Sequence, residues 1–83
     1  MEKTATIIFK MWKRGEEHDI EVPLNITANE LFVALNSAYH LGKDASDVTT
    51  NYLKAENPIA LLRGNRSLEE YGIRNGSIIH YTE

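Results

Sequence analysis

The sequence predicts an α+β fold in which a mixed sheet of four to five strands packs on one helix. Apolar and polar residues alternate in two segments near the N-terminus, which is typical of strands. In a later segment apolar residues recur every three or four positions, which is typical of a helix. The remaining apolar runs are short and are separated by turn residues. The predicted order is therefore β-β-α-β-β-β.

The first two strands are predicted to form a β-hairpin. Residues 5–12 alternate so that one face is apolar, while Ile8 and Trp12 lie on the opposite face. Residues 17–24 alternate in the same way, and a polar turn that contains Gly15 joins the two segments. The pattern places Trp12 on the open face of the sheet, away from the helix.

The helix is predicted to begin at a capping box. The Thr27 hydroxyl can accept from N–H groups of the first turn, and the Glu30 side chain can reach back to the Thr27 N–H. Gly42 is predicted to end the helix in a left-handed conformation. One apolar stripe is predicted to contact the sheet: Leu31, Ala34, Leu35, Ala38 and Leu41.

Three short strands are predicted after the helix. They cover residues 51–55, 59–62 and 77–82. Ser67 is predicted to cap a brief turn before the last strand, and Asn75-Gly76 turns the chain into that strand.

A right-handed connection through the helix makes the first and last strands parallel neighbours in the middle of the sheet. With the helix covering one face, this two-layer arrangement is the β-grasp architecture. The predicted core collects the inward residues of all elements: Ile7, Phe9, Ile20, Val22, Ile26, Leu31, Leu35, Ala38, Leu53, Leu62, Leu68, Ile73, Ile79 and Tyr81.

The segment Arg66-Ser67-Leu68-Glu69-Glu70-Tyr71-Gly72-Ile73 resembles the corresponding segment of ubiquitin. Ubiquitin-like folds place a Leu, a Tyr and an Ile at these spacings. The resemblance implies that Leu68 and Ile73 fill the bottom of the core and that the Tyr71 hydroxyl bonds a backbone group near residues 62–63. It covers about the whole chain, so it implies a single ubiquitin-like domain over residues 1–83.

Among ubiquitin-like proteins the chain is similar to the small bacterial YukD/EsaB group, which is encoded with type VII (ESX-like) secretion systems of Gram-positive bacteria. The similarity rests on length, on the absence of a diglycine tail and on an ending shortly after the Asn75-Gly76 turn. It implies a cytoplasmic accessory or regulatory component of such a system. The implied partner is a membrane component of the machine, a homologous ubiquitin-like domain or a regulator.

Conjugation to other proteins is not expected. Conjugated ubiquitin-like proteins need a flexible C-terminal glycine, whereas this chain ends Tyr81-Thr82-Glu83 and contains no Gly-Gly. An alternative stays open, in which the protein is a small ubiquitin-like subunit of a multicomponent bacterial enzyme such as a diiron monooxygenase. Both interpretations describe a protein that is not itself an enzyme.

The open face of the sheet is the candidate docking surface for a protein partner. A large aromatic such as Trp12 is costly to leave in water, and aromatics are enriched where partners dock. In the alternative interpretation the stems of Lys10 and Lys54 cover the ring, or the ring folds over the hairpin. An edge strand is a second candidate for docking. The predicted partner-binding residues are Ile8, Trp12, Tyr52, Lys54, Ile78 and His80.

Composition argues against several other functions. There is no cysteine, and the three histidines show no spacing typical of metal ligands, so no metal or cofactor is expected. A net charge of −3 disfavours nucleic acid as the main partner. No secretory signal or membrane span is expected, which favours a cytoplasmic protein without direct membrane insertion. Because a small sheet has two edges, a monomer or weak dimer is expected.

Overall fold

The computed structural model describes residues 3–44 and 52–82. These residues form the predicted order of elements: β1 (Thr4–Met11), β2 (Glu16–Pro23), α1 (Ala28–Tyr39), β3 (Leu53–Glu56), β4 (Ala60–Leu62) and β5 (Ile78–Tyr81). The strand bounds differ from the predicted ones by at most two residues, and Asn51 of the predicted third strand lies outside the described residues. The predicted α+β β-grasp fold is confirmed.

The five strands form one mixed sheet in the order β2-β1-β5-β3-β4. β1 is antiparallel to β2 and parallel to β5, with Phe9 opposite Ile79 in the parallel pair. β3 is antiparallel to both β5 and β4. The first and last strands are therefore parallel neighbours, as predicted, and β5 lies at the centre.

α1 covers one face of the sheet, but it is rotated from the predicted orientation. Ala34 and Ala38 are exposed, so their predicted contact with the core is wrong. Phe32 is buried instead, with its ring centroid 6.5 Å from that of Tyr81, and Tyr39 packs partly against the core. Burying these two rings removes more apolar surface from water than burying two alanine methyl groups, which accounts for the rotation.

The N-terminus of α1 is closed by the predicted capping box. The Glu30 N–H donates to Thr27 Oγ1 at 3.1 Å, and the Thr27 N–H donates to Glu30 Oε1 at 3.0 Å. The N–H groups of the N-cap residue Thr27 and of Glu30, which lack helical partners, are thus satisfied.

The C-terminus of α1 differs from the prediction, because His40 and not Gly42 is the left-handed cap, with φ of 54°. The Arg14 guanidinium, from the β1–β2 turn, donates to the carbonyl oxygens of Tyr39 and His40 at 2.6 and 2.7 Å. A cation at this end also suits the helix dipole. Arg14 therefore binds the helix end and is not a freely solvated turn residue.

Most of the predicted core is buried, including the residues that carry the resemblance to ubiquitin. Ile20 and Ile26 are only partly buried. Leu68 and Ile73 are buried, and the Tyr71 hydroxyl donates to the Arg63 carbonyl oxygen at 2.8 Å. Six apolar residues outside the predicted core are also buried: Ala5, Met11, Ala28, Phe32, Leu41 and Ala55.

The turns before β5 are held by Ser67 and Ser77. Ser67 Oγ accepts from the Glu70 N–H at 3.1 Å, which confirms its predicted role as a cap. Ser77 is fully buried; its Oγ accepts from the Arg74 N–H at 3.0 Å and donates to the Asn57 carbonyl oxygen. Ser77 thus joins the turn before β5 to the turn between β3 and β4.

We expect Gly72→Ala to destabilise the fold more than Gly76→Ala does. Both glycines have positive φ, 83° and 89°, so an alanine at either position costs about 1–2 kcal/mol. Only at Gly72 would the added Cβ also crowd a neighbour, Pro58 Cγ at 3.3 Å. Urea denaturation of both variants measures the difference as a shift in midpoint. Equal losses of stability would contradict the predicted contact with Pro58.

Candidate partner-docking surface

The open face of the sheet is the face opposite α1. Cross-strand register aligns Lys10 of β1, His80 of β5, Lys54 of β3 and Leu61 of β4 in one row across it. Because Trp12 lies two residues beyond Lys10, alternation places it on this same side. The open face thus collects residues from four strands.

A second row crosses the open face next to the first. It aligns Asp19 of β2, Ile8 of β1, Ile78 of β5 and Glu56 of β3. Ile8 and Ile78 are half-buried, whereas Asp19 and Glu56 are exposed. Two aliphatic side chains therefore form the middle of this row, and carboxylates form its ends.

Trp12 stands on the open face with 59% of its surface exposed. Its indole N–H donates to His80 Nδ1 at 2.8 Å, and the two rings stack with centroids 5.7 Å apart. Lys10 Nζ lies 5.7 Å from the Trp12 ring centroid, within the range of a cation–π contact. The Lys10 contact expected in the alternative interpretation is present, yet it leaves most of the ring exposed.

His80 is only 8% exposed, because Trp12 stacks on it and neighbouring strands flank it. An indole N–H can only donate, so Nδ1 of His80 is the unprotonated acceptor and its proton is on Nε2. Nε2 lies 2.7 Å from Glu56 Oε1, to which it donates. This pair is a hydrogen bond of the neutral imidazole, since a charged ring would carry a proton on Nδ1 and lose the Trp12 bond.

His80 is one of the predicted partner-binding residues. In the structure it supports Trp12 from below and exposes little of its own surface. Trp12, His80 and Glu56 form a hydrogen-bonded chain that crosses from the end of β1 over β5 to β3. The position of the exposed indole is therefore fixed by two other strands.

The β3–β4 side of the open face carries apolar residues beyond the predicted ones. Tyr52 and Lys54 are exposed, as predicted. Leu61 is also exposed, and Ile59 is 91% exposed in the turn before β4. Alternation from the inward Leu62 would have placed Leu61 outward. The exposure of Ile59 has no comparable signal, because it follows from the shape of the turn.

Within residues 3–44 and 52–82, no cluster of three or more His, Cys, Asp or Glu side chains is arranged to hold a metal ion. No helix in that part of the chain is long and apolar enough to span a membrane. Some polar groups on the open face pack Trp12 or form ion pairs, such as Lys10–Glu17 at 3.7 Å. What this face can offer chemically is an aromatic and aliphatic contact area bordered by charges.

A protein-family model described as "WXG100 protein secretion system (Wss), protein YukD" matches residues 6–80. The chain belongs to the YukD family. The resemblance drawn from the sequence is thus confirmed, and the chain carries a ubiquitin-like domain of a family linked to Wss secretion. No curated protein matches the chain significantly.

Solved structures of ubiquitin-like domains share the fold of this YukD family member. A ubiquitin-like domain from tubulin-binding cofactor B has a TM-score of 0.79 at 18% identity, covering 100% of this chain and 92% of that one. The C-terminal ubiquitin-like domain of mouse tubulin-specific chaperone e gives 0.71 at 15% identity, with coverages of 95% and 84%. The corresponding domain of Plasmodium falciparum Dsk2 gives 0.61 at 19%, with coverages of 94% and 97%. At these identities the likeness concerns the fold alone.

We expect His80→Phe to release Trp12 while keeping the fold. Phenylalanine preserves a ring under the indole but offers no acceptor for its N–H. Because one hydrogen bond is worth about 1 kcal/mol, its loss should raise the fraction of molecules in which the indole has moved away roughly fivefold. Glu56 is more than half exposed, so water can replace its lost partner. Trp12 is the only tryptophan, so indole N–H exchange measured by NMR reports on it directly.

Lys10→Met is the matched control, because it removes the cation–π contact and leaves the hydrogen bond in place. Indole exchange should change little in this variant. Unchanged exchange in His80→Phe would show that the hydrogen bond does not hold Trp12.

Proposed function

We propose that the protein is a non-catalytic interaction module that acts in the cytoplasm as an accessory or regulatory component of the Wss, or type VII, secretion system. Membership of the YukD family supports the pathway. The observation that supports docking is the exposed Trp12, held in place on the open face by His80. A large aromatic in a fixed position loses little entropy on binding, which favours its use as an anchor.

The proposed docking surface consists of the open face. Trp12 and Tyr52 supply exposed aromatic area, Ile8 and Ile78 supply the half-buried floor, and Lys54 supplies a charge. His80 belongs to the surface as the support of Trp12. The partner in this proposal is a membrane component of the secretion machine, a homologous ubiquitin-like domain or a regulator.

A non-catalytic role agrees with what the polar residues do. His80 and Glu56 position Trp12, and Ser67 caps a turn. His18 and Glu16 form a pair 3.1 Å apart on the edge strand β2, and the His18 ring also packs against Tyr39, with ring centroids 5.1 Å apart. Each of these groups has a structural role that accounts for its position. The alternative role as a subunit of a diiron monooxygenase finds no support in the family model, which describes a secretion protein.

Residues 1–83 are proposed to act as one domain that is a monomer or a weak dimer. The two edge strands limit pairing with other chains, because β4 has only three residues and β2 carries the charged side chains of Glu17, Asp19 and Glu21. Short or charged edges are common means of preventing sheet extension. The open face is therefore a better docking candidate than either edge.

We expect Trp12→Ala to abolish function while leaving the fold intact. The side chain is more than half exposed, so its loss should cost at most about 1 kcal/mol of stability. A central interfacial tryptophan contributes about 2 kcal/mol or more to binding, which is roughly 30-fold in affinity. The measurement is secretion of WXG100 substrates by the native host carrying the variant at its own locus.

Val33→Ala is the matched control, since Val33 is an exposed apolar residue on α1, in the opposite layer. Secretion should be normal with this variant. Normal secretion with Trp12→Ala at normal protein levels would exclude Trp12 as the docking anchor.

Deletion of the gene tests the pathway separately from the surface. We expect the deletion strain to lose secretion of WXG100 substrates, and the wild-type gene to restore it. Intact secretion in the deletion strain would overturn the proposed role in the system, whatever the effect of Trp12→Ala.

A further inference from the structure

The part of the open face around Trp12 and Tyr52 carries positive charges that have no ion-pair partner in the described part of the chain. Lys54 is exposed, and its cross-strand neighbours are Leu61 and His80, neither of which is acidic. His80 itself is neutral, as its bond with Trp12 requires.

Arg63 adds a second uncompensated cation one residue beyond the end of β4. It is exposed, and among the described residues its contacts are backbone bonds to the Tyr71 hydroxyl. Lys10 differs, because Glu17 lies 3.7 Å from its ammonium group. Two unpaired cations beside exposed aromatic and aliphatic side chains stand out in a protein whose net charge is −3.

Three acidic residues of the open face lie at the opposite edge of the sheet, whereas Glu56 lies on β3, where it accepts from His80. Glu17, Asp19 and Glu21 are exposed and alternate along β2 on that face. β2 is separated from β3 by β1 and β5, so the two sets of charges lie about 14 Å apart at a strand spacing of about 4.8 Å. The open face therefore has an acidic edge and a basic, apolar half, in which the two cations Lys54 and Arg63 outnumber the single carboxylate Glu56.

From this arrangement we propose that the basic, apolar half of the open face binds an acidic segment of a protein partner in which carboxylates alternate with apolar side chains. A carboxylate would pair with Lys54, where the apolar surroundings strengthen the interaction relative to open water. Apolar side chains would contact Trp12, Tyr52 and Leu61. The inference rests on the proposed docking function and adds the chemistry of the partner.

The dimensions of this half favour a narrow segment over a membrane. The distance from β1 to β3 is about 10 Å, close to the diameter of one helix. An anionic membrane surface is flat and would also meet Glu17, Asp19 and Glu21, which it would repel. A segment can lie on the basic half alone.

Selection from a library of random twelve-residue peptides displayed on phage, against the folded full-length chain, tests this inference. We expect the selected peptides to be rich in Asp or Glu next to Leu, Ile or Phe. Lys54→Glu with Arg63→Glu should weaken the binding of the best synthetic peptide at least tenfold, measured by calorimetry, and binding should fall as salt is raised. Arg74→Glu is the matched control, because Arg74 is an exposed arginine in the turn before β5 at the other end of that strand, and it should bind as wild type does.

Trp12→Ala, measured with the same peptides, separates the two proposals. One outcome would overturn the charge inference and leave open-face docking intact. In it, the selected peptides need Trp12 for binding, but they are not rich in Asp or Glu and bind the Lys54→Glu, Arg63→Glu variant as tightly as the wild type. Failure to select any peptide that depends on Trp12 would overturn the inference and remove support for docking as well.

Two further measurements test other occupants of the surface. Sedimentation with phosphatidylserine vesicles tests an anionic membrane, and analytical ultracentrifugation tests a second copy of the chain, whose acidic β2 edge could meet Lys54. We expect neither vesicle binding nor self-association that depends on Lys54. Either result would overturn the proposal in favour of that occupant.

Discussion

The parallel pairing of β1 with β5 is the interaction on which the rest of the structure depends. It joins the N-terminal hairpin to the C-terminal half of the sheet and brings Lys10 opposite His80. The Trp12 N–H continues the pairing by donating to the Tyr81 carbonyl oxygen at 3.2 Å. Trp12 and His80 are 68 positions apart in the chain, and they meet because the two strands run in the same direction.

The central position of β5 also explains why an outward histidine is buried. β5 has a strand on each side, and Ile79 and Tyr81 face α1 while Ile78 and His80 face the other way. On an edge strand the open-face residues would have one flanking neighbour and would be accessible to water. At the centre, His80 is covered by Trp12 on top and enclosed by neighbours on both sides. The open face is thus a thin second layer of packing and not only a solvated surface.

The sequence pattern predicted those features that depend on residues close together in the chain. Alternation placed Trp12 on the correct side, and the spacing of Thr27 and Glu30 predicted the capping box. The rotation of α1 was missed because two faces of the helix, one with Ala34 and Ala38 and one with Phe32, both show apolar residues at helical spacing. Only packing against the sheet decides which face is buried. The role of Arg14 depends on carbonyl groups 25 and 26 positions away, which no local spacing indicates. The burial of His80 was missed for the same reason.

The hydrogen-bonded chain of Trp12, His80 and Glu56 draws one residue from each of three regions of the sequence. No continuous fragment contains this surface, so a partner that binds it binds only the native state. Partner binding and folding are then thermodynamically linked. A partner whose free concentration is a hundred times the dissociation constant adds about 2.7 kcal/mol to the free energy of unfolding. For a domain of 83 residues that is a large share of the total free energy of unfolding. The cellular lifetime of the protein would consequently follow the abundance of its partner.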